Sequence, residues 1–569
     1  MMNVAQLMVE SFQRHGVTDI FGQSLPTAFF LAAEKAGMRQ IAYRTENAGG
    51  AMADAYARVS QRIALVGAQN GPAATLLVAP LAEAMKASSP VIAIVQEVPV
   101  AQRDRNAFQE FDHVGLFSAC TKWIKQLDDP TRINEYIDLA VTIATTGRPG
   151  PVVLLVPRDV LLMEVAQHDT TPRTASLGRF PLDRTRPAHS GVVLAANALT
   201  QAKHPLIVAG GGVHLSGASG ALTRLQELSG IPVATTNMGK GSVSELHELS
   251  IGVVGNAFGK QAPNYLARSL VTEADVVLFI GTRTNENGTD AWTLFPSNAT
   301  YIHLDVDGIE VGRNYQSIRL VGDALLGIED LIDELAARDL TMREQSRRAA
   351  VSQIRLAKEA AKERSSRLRS DSASALLTPQ HVMAVVDQHM SAGDIAVADA
   401  SYSSIWMTNF LTAKSVGQRF ISPRGLAGLG WGLPMAMGAQ TAQSDKRVVC
   451  VSGDGGFGHV WAEMESAVRN NHPVISIVLN NSIFGFQKHA ELSAFAMSTS
   501  AIEISPVDHT AIALAVGAQA RRVSTVAELE LALTQAFAMR EFFLIEVMTD
   551  PDAYPPIAAW DEHPPVATA

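Results

Sequence analysis

Arg447-Val-Val-Cys-Val-Ser-Gly-Asp-Gly-Gly456 and Pro473-Val-Ile-Ser-Ile-Val-Leu-Asn-Asn481 are the two stretches on which the reading of this chain turns. Each opens as a short apolar run of the kind that forms a buried strand, and each ends in turn-forming residues. Residues 458–470 between them carry a helical pattern. Such a helix returns the chain across the sheet, so the two strands run parallel and finish side by side. One end then offers the carboxylate of Asp454 and the other the amide oxygen of Asn481. Hard oxygen donors of this kind suit Mg²⁺ or Ca²⁺ and not Zn²⁺. Gly453, Gly455 and Gly456 beside the carboxylate let backbone N–H groups approach a phosphate closely. The pair reads as a metal-bridged diphosphate anchor.

The same alternation runs outward through the chain. At 569 residues it is too long for a single core. Between residues 19 and 158, the apolar runs Ile63-Ala-Leu-Val-Gly67, Val91-Ile-Ala-Ile-Val95 and Val152-Val-Leu-Leu-Val156 alternate with helical patterns at 46–58 and 73–86. Residues 165–190 are polar and proline-rich, as a linker is. A second unit contains Pro205-Leu-Ile-Val-Ala209, Ile231-Pro-Val-Ala234, Val276-Val-Leu-Phe-Ile280 and Tyr301-Ile-His-Leu-Asp305. A long charged helical stretch, 341–375, leads to a third unit with Ile395-Ala-Val-Ala398 and Phe542-Phe-Leu-Ile-Glu-Val547 around the anchor. The fold class is α/β, with three doubly wound parallel-sheet domains at 1–165, 188–340 and 376–550. The proline-rich tail, 551–569, reads as a frayed end without regular structure. Tyr554 and Trp560 are the residues through which it would instead act as a cover.

Composition narrows the partners. A formal net charge of −10 argues against nucleic acid and anionic membranes. The basic residues between 343 and 369 are interleaved with acids, as on a solvated linker helix. Cys120 and Cys450 read as packed thiols. The first sixteen residues form an amphipathic helical pattern and not a signal peptide, and no apolar run reaches membrane-spanning length. A cytoplasmic protein acting on a small molecule is the expectation.

A second acidic position faces the anchor. Tyr43-Arg-Thr-Glu-Asn-Ala-Gly-Gly50 joins a strand to a helix and puts Glu46 at a strand's carboxyl end, where open sheets keep their ligands. Together with GDG and NN, this resembles the thiamine diphosphate (ThDP) enzymes of the acetolactate synthase, pyruvate oxidase, oxalyl-CoA decarboxylase and 2-hydroxyacyl-CoA lyase group. The resemblance covers nearly the whole chain and implies the order pyrimidine-binding domain, central Rossmann-like domain, diphosphate-binding domain. It implies that Glu46 shares a proton with N1′ of the aminopyrimidine, and that Gly71 and Pro72 pack beside that ring. Gly425-Leu-Ala-Gly-Leu-Gly-Trp-Gly-Leu-Pro434 resembles the segment that bends the cofactor, with Leu429 as the apolar prop and the Ala427 carbonyl as acceptor for the 4′-amino group. Asp454, Asn481 and the Ile483 carbonyl are implied Mg²⁺ ligands, with Gly453, Gly455 and Gly456 against the diphosphate. In this family Glu46 and the anchor come from different subunits. A homodimer or homotetramer with active sites at the subunit interface is therefore implied.

The substrate side is less uniform. Ala107-Phe-Gln-Glu110 resembles the acetolactate synthase AFQE segment, which makes Phe108 and Gln109 candidates for substrate contact beside Glu46. Ser401-Tyr-Ser403 stands where those enzymes carry GQH, Ala490 stands in place of the tryptophan of their acceptor pocket, and Gly22-Gln-Ser-Leu-Pro26 replaces GYPGG. Glu491 reads as an exposed helix residue, with a substrate-side acid or base as the sharper alternative. The resemblance implies a ThDP- and Mg²⁺-dependent carboligase or lyase that makes or cleaves a C–C bond next to a carbonyl, on a 2-oxo acid such as pyruvate. A 2-hydroxyacyl-CoA or oxalyl-CoA lyase is the alternative, and a FAD-dependent pyruvate-oxidase-like enzyme is third. Gly210-Gly-Gly212 and Gly281-Thr-Arg283 follow strands of the central domain and leave FAD or ADP open there. Thr284-Asn-Glu-Asn-Gly288 does not match the flavin segment of acetolactate synthases.

Overall fold

A computed structural model describes residues 2–370 and 376–561. The anchor strands Val448–Gly453 and Val474–Asn480 pair in parallel, with Gly453 opposite Leu479, as the sequence requires. They are central strands of a six-stranded sheet ordered Phe420–Ile421, Ile395–Ala398, Val448–Gly453, Val474–Asn480, Phe543–Met548, Gln519–Val523. The first unit repeats that order with Arg39–Ile41, Asp19–Phe21, Ala64–Ala68, Val91–Glu97, Val152–Pro157 and Trp123–Gln126. In both sheets the strand order reverses at the second and third positions, so a crevice opens at the carboxyl ends there. That crevice lies beside Asp454 in one unit and beside Gly71 in the other.

The central sheet follows the Rossmann order, with Ser250–Val253, Val233–Thr235 and Pro205–Ala209 on one side of the switch and Val276–Ile280, Thr300–Asp305 and Ser317–Val321 on the other. Ser250–Val253 and Ser317–Val321 are edge strands, half polar and short, which is why the apolar runs of the sequence do not mark them.

Three elements depart from the sequence reading. The helix expected over 458–470 is confined to Glu463–Arg469. Glycines at 455, 456 and 458 weaken helix ahead of it, leaving only the short turn Asp454–Phe457. The helical run at 73–86 is two helices, Pro72–Leu76 and Val78–Ala87. Pro80 has no N–H for the Leu76 carbonyl, so one continuous helix is interrupted there. The tail is not frayed over 551–561. Gly259 N–H donates to the Pro556 carbonyl (3.1 Å) and Ala558 N–H to the Asn256 carbonyl (2.8 Å). Ile557 and Trp560 are buried with Ala257 and Ile405, and this apolar burial holds a chain that prolines keep out of helix and sheet. Residues 562–569, with the second proline pair, lie outside the described residues, as do 371–375 at the end of the charged helix Glu344–Ser370. Among the described residues no helix is long and apolar enough to cross a membrane.

The first and third units share one core. Helix Glu46–Ser60 lies against helix Gly432–Ala442, and both contribute alanines to a continuous cluster that also holds Met52, Leu433 and Met437. Small residues let the backbones approach closely. A Cβ on Gly438 would stand 2.0 Å from the Met52 carbonyl oxygen, which cannot move without shifting the helix. Gly438→Ala is therefore expected to destabilise by roughly 1–3 kcal/mol or more through overpacking. A lower thermal midpoint, with faster amide exchange in both helices, is the expected result; an unchanged midpoint would show that the contact is looser.

Candidate active site

Asp454 opens the turn Asp454–Phe457 at the end of its strand and is 5% exposed. Its carboxylate accepts the Ser482 N–H at 2.7 Å. Burial raises its pKa to about 6, with backbone hydrogen bonds opposing the shift. An enclosed carboxylate in this state is suited to a cation that favours its charged form. The Asn481 amide oxygen accepts from Ile483 N–H at 3.2 Å, and Ser482 between them is left-handed, with φ +56°. The antiparallel bridge of Ile483 with Glu503 fixes the far side of this turn. A carboxylate, an amide oxygen and the Ile483 carbonyl, which also accepts the Gly485 N–H at 3.0 Å, are an all-oxygen donor set that fits Mg²⁺ once phosphate oxygens and water complete it.

The three glycines of the anchor differ. A Cβ on Gly456 would meet Asp399 Oδ2 at 2.2 Å, and one on Gly455 would meet the Phe484 ring at 2.7 Å. Those two positions are glycine because the protein packs against them. A Cβ on Gly453 would meet nothing closer than Ser403 Oγ at 3.8 Å. Of the three, Gly453 is the one that leaves room for a ligand.

Two buried carboxylates hold the 425–431 segment. Glu83 accepts from Gly425 N–H (2.8 Å), Leu426 N–H (2.5 Å) and Ala427 N–H (3.4 Å), and it is paired with Arg58 at 3.1 Å. Asp399 accepts from Gly430 N–H (2.9 Å) and Trp431 N–H (3.1 Å). Between them Ala427 takes a left-handed conformation, φ +63°, that is strained for a residue with a side chain. Leu429 is 39% exposed and lines the cavity, so it is not a core residue. Neither carboxylate was picked out in the sequence. Asp399 follows directly on the strand Ile395–Ala398, a position that could have marked it. Glu83 lies mid-helix and carries no such signal.

The first unit assembles its own group. Gly71 is left-handed, φ +69°, and a Cβ there would stand 2.8 Å from the Gln109 Cβ. Asn70 Nδ2 donates to the Phe108 carbonyl (3.3 Å) and the Gln109 carbonyl (3.0 Å), and Gln69 Nε2 donates to Gln109 Oε1 (3.0 Å). Gly71 N–H donates to His113 Nε2 at 3.0 Å, so the His113 Nδ1–H faces Glu97 at 2.6 Å. His113 was missed, because a lone histidine four residues past Gln109 has no motif around it. The Phe108 ring is 84% exposed. Glu46 starts its helix, and burial raises its carboxyl pKa. Its neighbours are tied to the third unit of the same chain: Arg44 and Thr45 N–H donate to Glu463 (3.0 and 3.1 Å), and Trp431 Nε1 donates to Asn47 Oδ1 (3.0 Å).

Within one chain these groups form two half-sites. A cavity of about 720 Å³ brings together Asp454, Asn481, Ile483, Ala427, Leu429 and Gly453. Gly455 and Gly456 also border it, whereas Glu46, Gly71, Pro72, Phe108 and Gln109 do not.

Known proteins share this order of three domains. The chain matches the thiamine pyrophosphate enzyme N-terminal TPP binding domain over residues 2–116, the central domain over 192–331 and the C-terminal TPP binding domain over 399–547. It is 32% identical over 566 residues to a probable acetolactate synthase large subunit of Methanococcus aeolicus, covering 97% of this chain and 93% of that protein. The corresponding protein of Methanocaldococcus jannaschii is also 32% identical, over 97% of this chain and 92% of its own. The acetolactate synthase large subunit of Cyanidium caldarium is 28% identical over 97% and 94%. The chain belongs to the acetolactate synthase family of ThDP enzymes.

The wall of the cavity shows how this family member differs from the GQH pattern at residues 401–403. Tyr402 and Phe486 line it, and behind them Tyr402 Oη and His489 Nδ1 are 2.8 Å apart with their rings stacked at 25°. Trp560 and Tyr554 of the tail close edge-on over His489. Burial depresses His489 to about 4 and raises the Tyr402 phenol, so both stay neutral at neutral pH. The place beside Ala490 is thus filled by an aromatic box. Glu491 borders the cavity, but Thr499 N–H (2.8 Å) and Gln487 Nε2 (3.1 Å) donate to its carboxylate and lower its pKa. An ionised glutamate is a poor proton donor, and Glu491 is half-buried at the cavity edge and not the exposed helix residue that the sequence suggests. Trp560→Ala should release the tail: proteolysis between 550 and 561 should become rapid while the thermal midpoint of the three domains stays close to the parent. Equal protease resistance would refute the docking role of Trp560.

Proposed function

We propose that the chain is a ThDP- and Mg²⁺-dependent carboligase or lyase that makes or cleaves the C–C bond next to the carbonyl of a 2-oxo acid such as pyruvate, with acetolactate-like carboligation as the leading reaction. The observation that carries this reading is the cavity in which Asp454, Asn481 and Ile483 stand beside Leu429 and the left-handed Ala427. ThDP, when bound, supplies the nucleophilic carbon and the electron sink for bond cleavage next to a carbonyl.

The chain's own residues do the rest. Asp454, the Asn481 side chain and the Ile483 carbonyl hold Mg²⁺, with Gly453, Gly455 and Gly456 against the diphosphate. Leu429 supports the cofactor from below, and the Ala427 carbonyl, aimed by its backbone strain, accepts from the aminopyrimidine. Glu46, whose carboxyl pKa burial raises, would share a proton with the pyrimidine ring beside Gly71 and Pro72. Phe108 and Gln109 border the substrate. Because the two half-sites do not meet within one chain, a homodimer is the smallest complete unit, and a homotetramer would repeat it.

Residues 1–165, 188–340 and 376–550 serve as the pyrimidine-binding, central and diphosphate-binding domains. The similarity to acetolactate synthase large subunits over nearly the whole chain favours a small 2-oxo acid over an acyl-CoA. In the central domain a cleft of about 130 Å³ lies at the strand ends beside Gly211, Arg148 and Arg283. Its cations support a nucleotide there. ADP is favoured over FAD because residues 284–288 depart from the flavin segment; flavin absorbance in the purified protein would reverse that choice.

Glu46→Gln tests the acid role. Turnover of pyruvate should fall by roughly 10²–10⁴-fold. The sign for stability is opposite. A carboxyl whose folded pKa is raised loses stability as pH rises through that value, so the neutral amide should melt no lower than the parent at neutral pH. Chelation should abolish turnover, and Mg²⁺ should restore it. Full activity in Glu46→Gln, or activity indifferent to chelator, would contradict the reading.

A further inference from the structure

Arg424 stands between two cavities, and its guanidinium is bonded to nothing. It borders the cofactor cavity with Ala427 and Leu429, and the central-domain cleft with Arg283 and Asn285. Its Nε and Nη2 are enclosed and have no hydrogen-bond partner. The carboxylate that acts on it, Glu83, is already engaged by Arg58 and by three backbone N–H groups. The surrounding cluster holds the guanidiniums of Arg58, Arg419 and Arg424 against the carboxylates of Asp54 and Glu83. Burial brings Arg419 and Arg424 down to about 10, so both stay charged at neutral pH. The cluster therefore carries one positive charge more than its carboxylates neutralise. A guanidinium left enclosed without a counter-ion is costly, and an arriving anion removes that cost.

The cofactor cavity is the side on which that anion is needed. Among the described residues lining it, Arg424 is the only lysine, arginine or histidine. The central cleft has Arg148 and Arg283 of its own. In the wall of the same cavity, Asn256 Nδ2 donates to Asn287 Oδ1 at 3.0 Å, while Asn256 Oδ1 is buried without a partner. An anion receptor and an amide pair thus face the same space as Leu429. We propose that Arg424 receives the carboxylate of the substrate in the cofactor cavity and thereby selects 2-oxo acids over uncharged carbonyl compounds. This rests on the 2-oxo acid reading above, which sets the class of anion. A planar guanidinium recognises a carboxylate through paired N–H donors, and a lysine reproduces the charge but not the fork.

The test uses the full chain loaded with ThDP and Mg²⁺, as the parent and as Arg424→Gln and Arg424→Lys. Calorimetric titration with oxamate, an unreactive carboxylate of the same shape as pyruvate, reads the receptor independently of turnover. Arg424→Gln should bind oxamate at least roughly ten-fold more weakly, with Arg424→Lys in between. Both variants should keep the parent's ThDP affinity. Equal oxamate binding by parent and Arg424→Gln, or no binding by either, overturns the proposal. So does a loss of ADP binding in Arg424→Gln with oxamate binding intact, which would assign the arginine to the central cleft. Pyruvate turnover by the parent decides the reaction separately: oxamate binding that depends on Arg424 in a protein that does not consume pyruvate would uphold the receptor and refute the proposed reaction.

Discussion

The Glu83 carboxylate ties the first unit to the third. It reaches out of helix Val78–Ala87 and collects the N–H groups of Gly425, Leu426 and Ala427, while Arg58 holds it from the other side. Hydrogen bonds to an ionised acceptor in a buried setting are strong, and leaving such a group unpaired is expensive. The segment 425–431 therefore has little freedom. Asp399 takes its other end, and the close contact of Gly438 with Met52 fixes the helix that follows. Ala427 can keep its strained conformation because these contacts over-determine it. The cofactor-side surface of the third unit is thus set by charges and packing supplied by the first.

The same constraint separates the two halves of the site. With the domains locked at helices Glu46–Ser60 and Gly432–Ala442, Glu46 sits among Glu463, Trp431 and the anchor domain's flank and does not border the cavity with Asp454. Rearrangement within the chain would have to break the buried bonds from Glu83 to Gly425 and Leu426 N–H and from Arg58 to the Ser422 carbonyl. Completion by a second copy needs no such change.

Much of this was legible in the sequence, for physical reasons that differ from residue to residue. The strands ending at Gly453 and Asn480 were readable because strands buried in parallel sheets are continuous apolar runs. Asp454 could be found because it follows a strand end directly, and Glu46 because it opens the helix after the short loop that leaves a strand. The edge strands Ser250–Val253 and Ser317–Val321 were not, since polar residues and glycine interrupt that run. Glu83 acts through partners hundreds of residues away, which no local pattern encodes. The tail was misread because prolines argue only against regular structure, and they say nothing about whether Ile557 and Trp560 find a surface to bury against.

The central claim is that a complete site joins Glu46 of one copy to Asp454 of another, and subunit complementation tests it most directly. Glu46→Gln and Asp454→Asn proteins, each inactive alone, are mixed, dissociated and reassembled with ThDP and Mg²⁺, and pyruvate consumption is followed. Hybrid dimers then contain one site with both carboxylates intact, and substantial activity should return. If the mixture stays as inactive as its components, although hybrids are demonstrated to form, the two half-sites do not complete each other and the account fails.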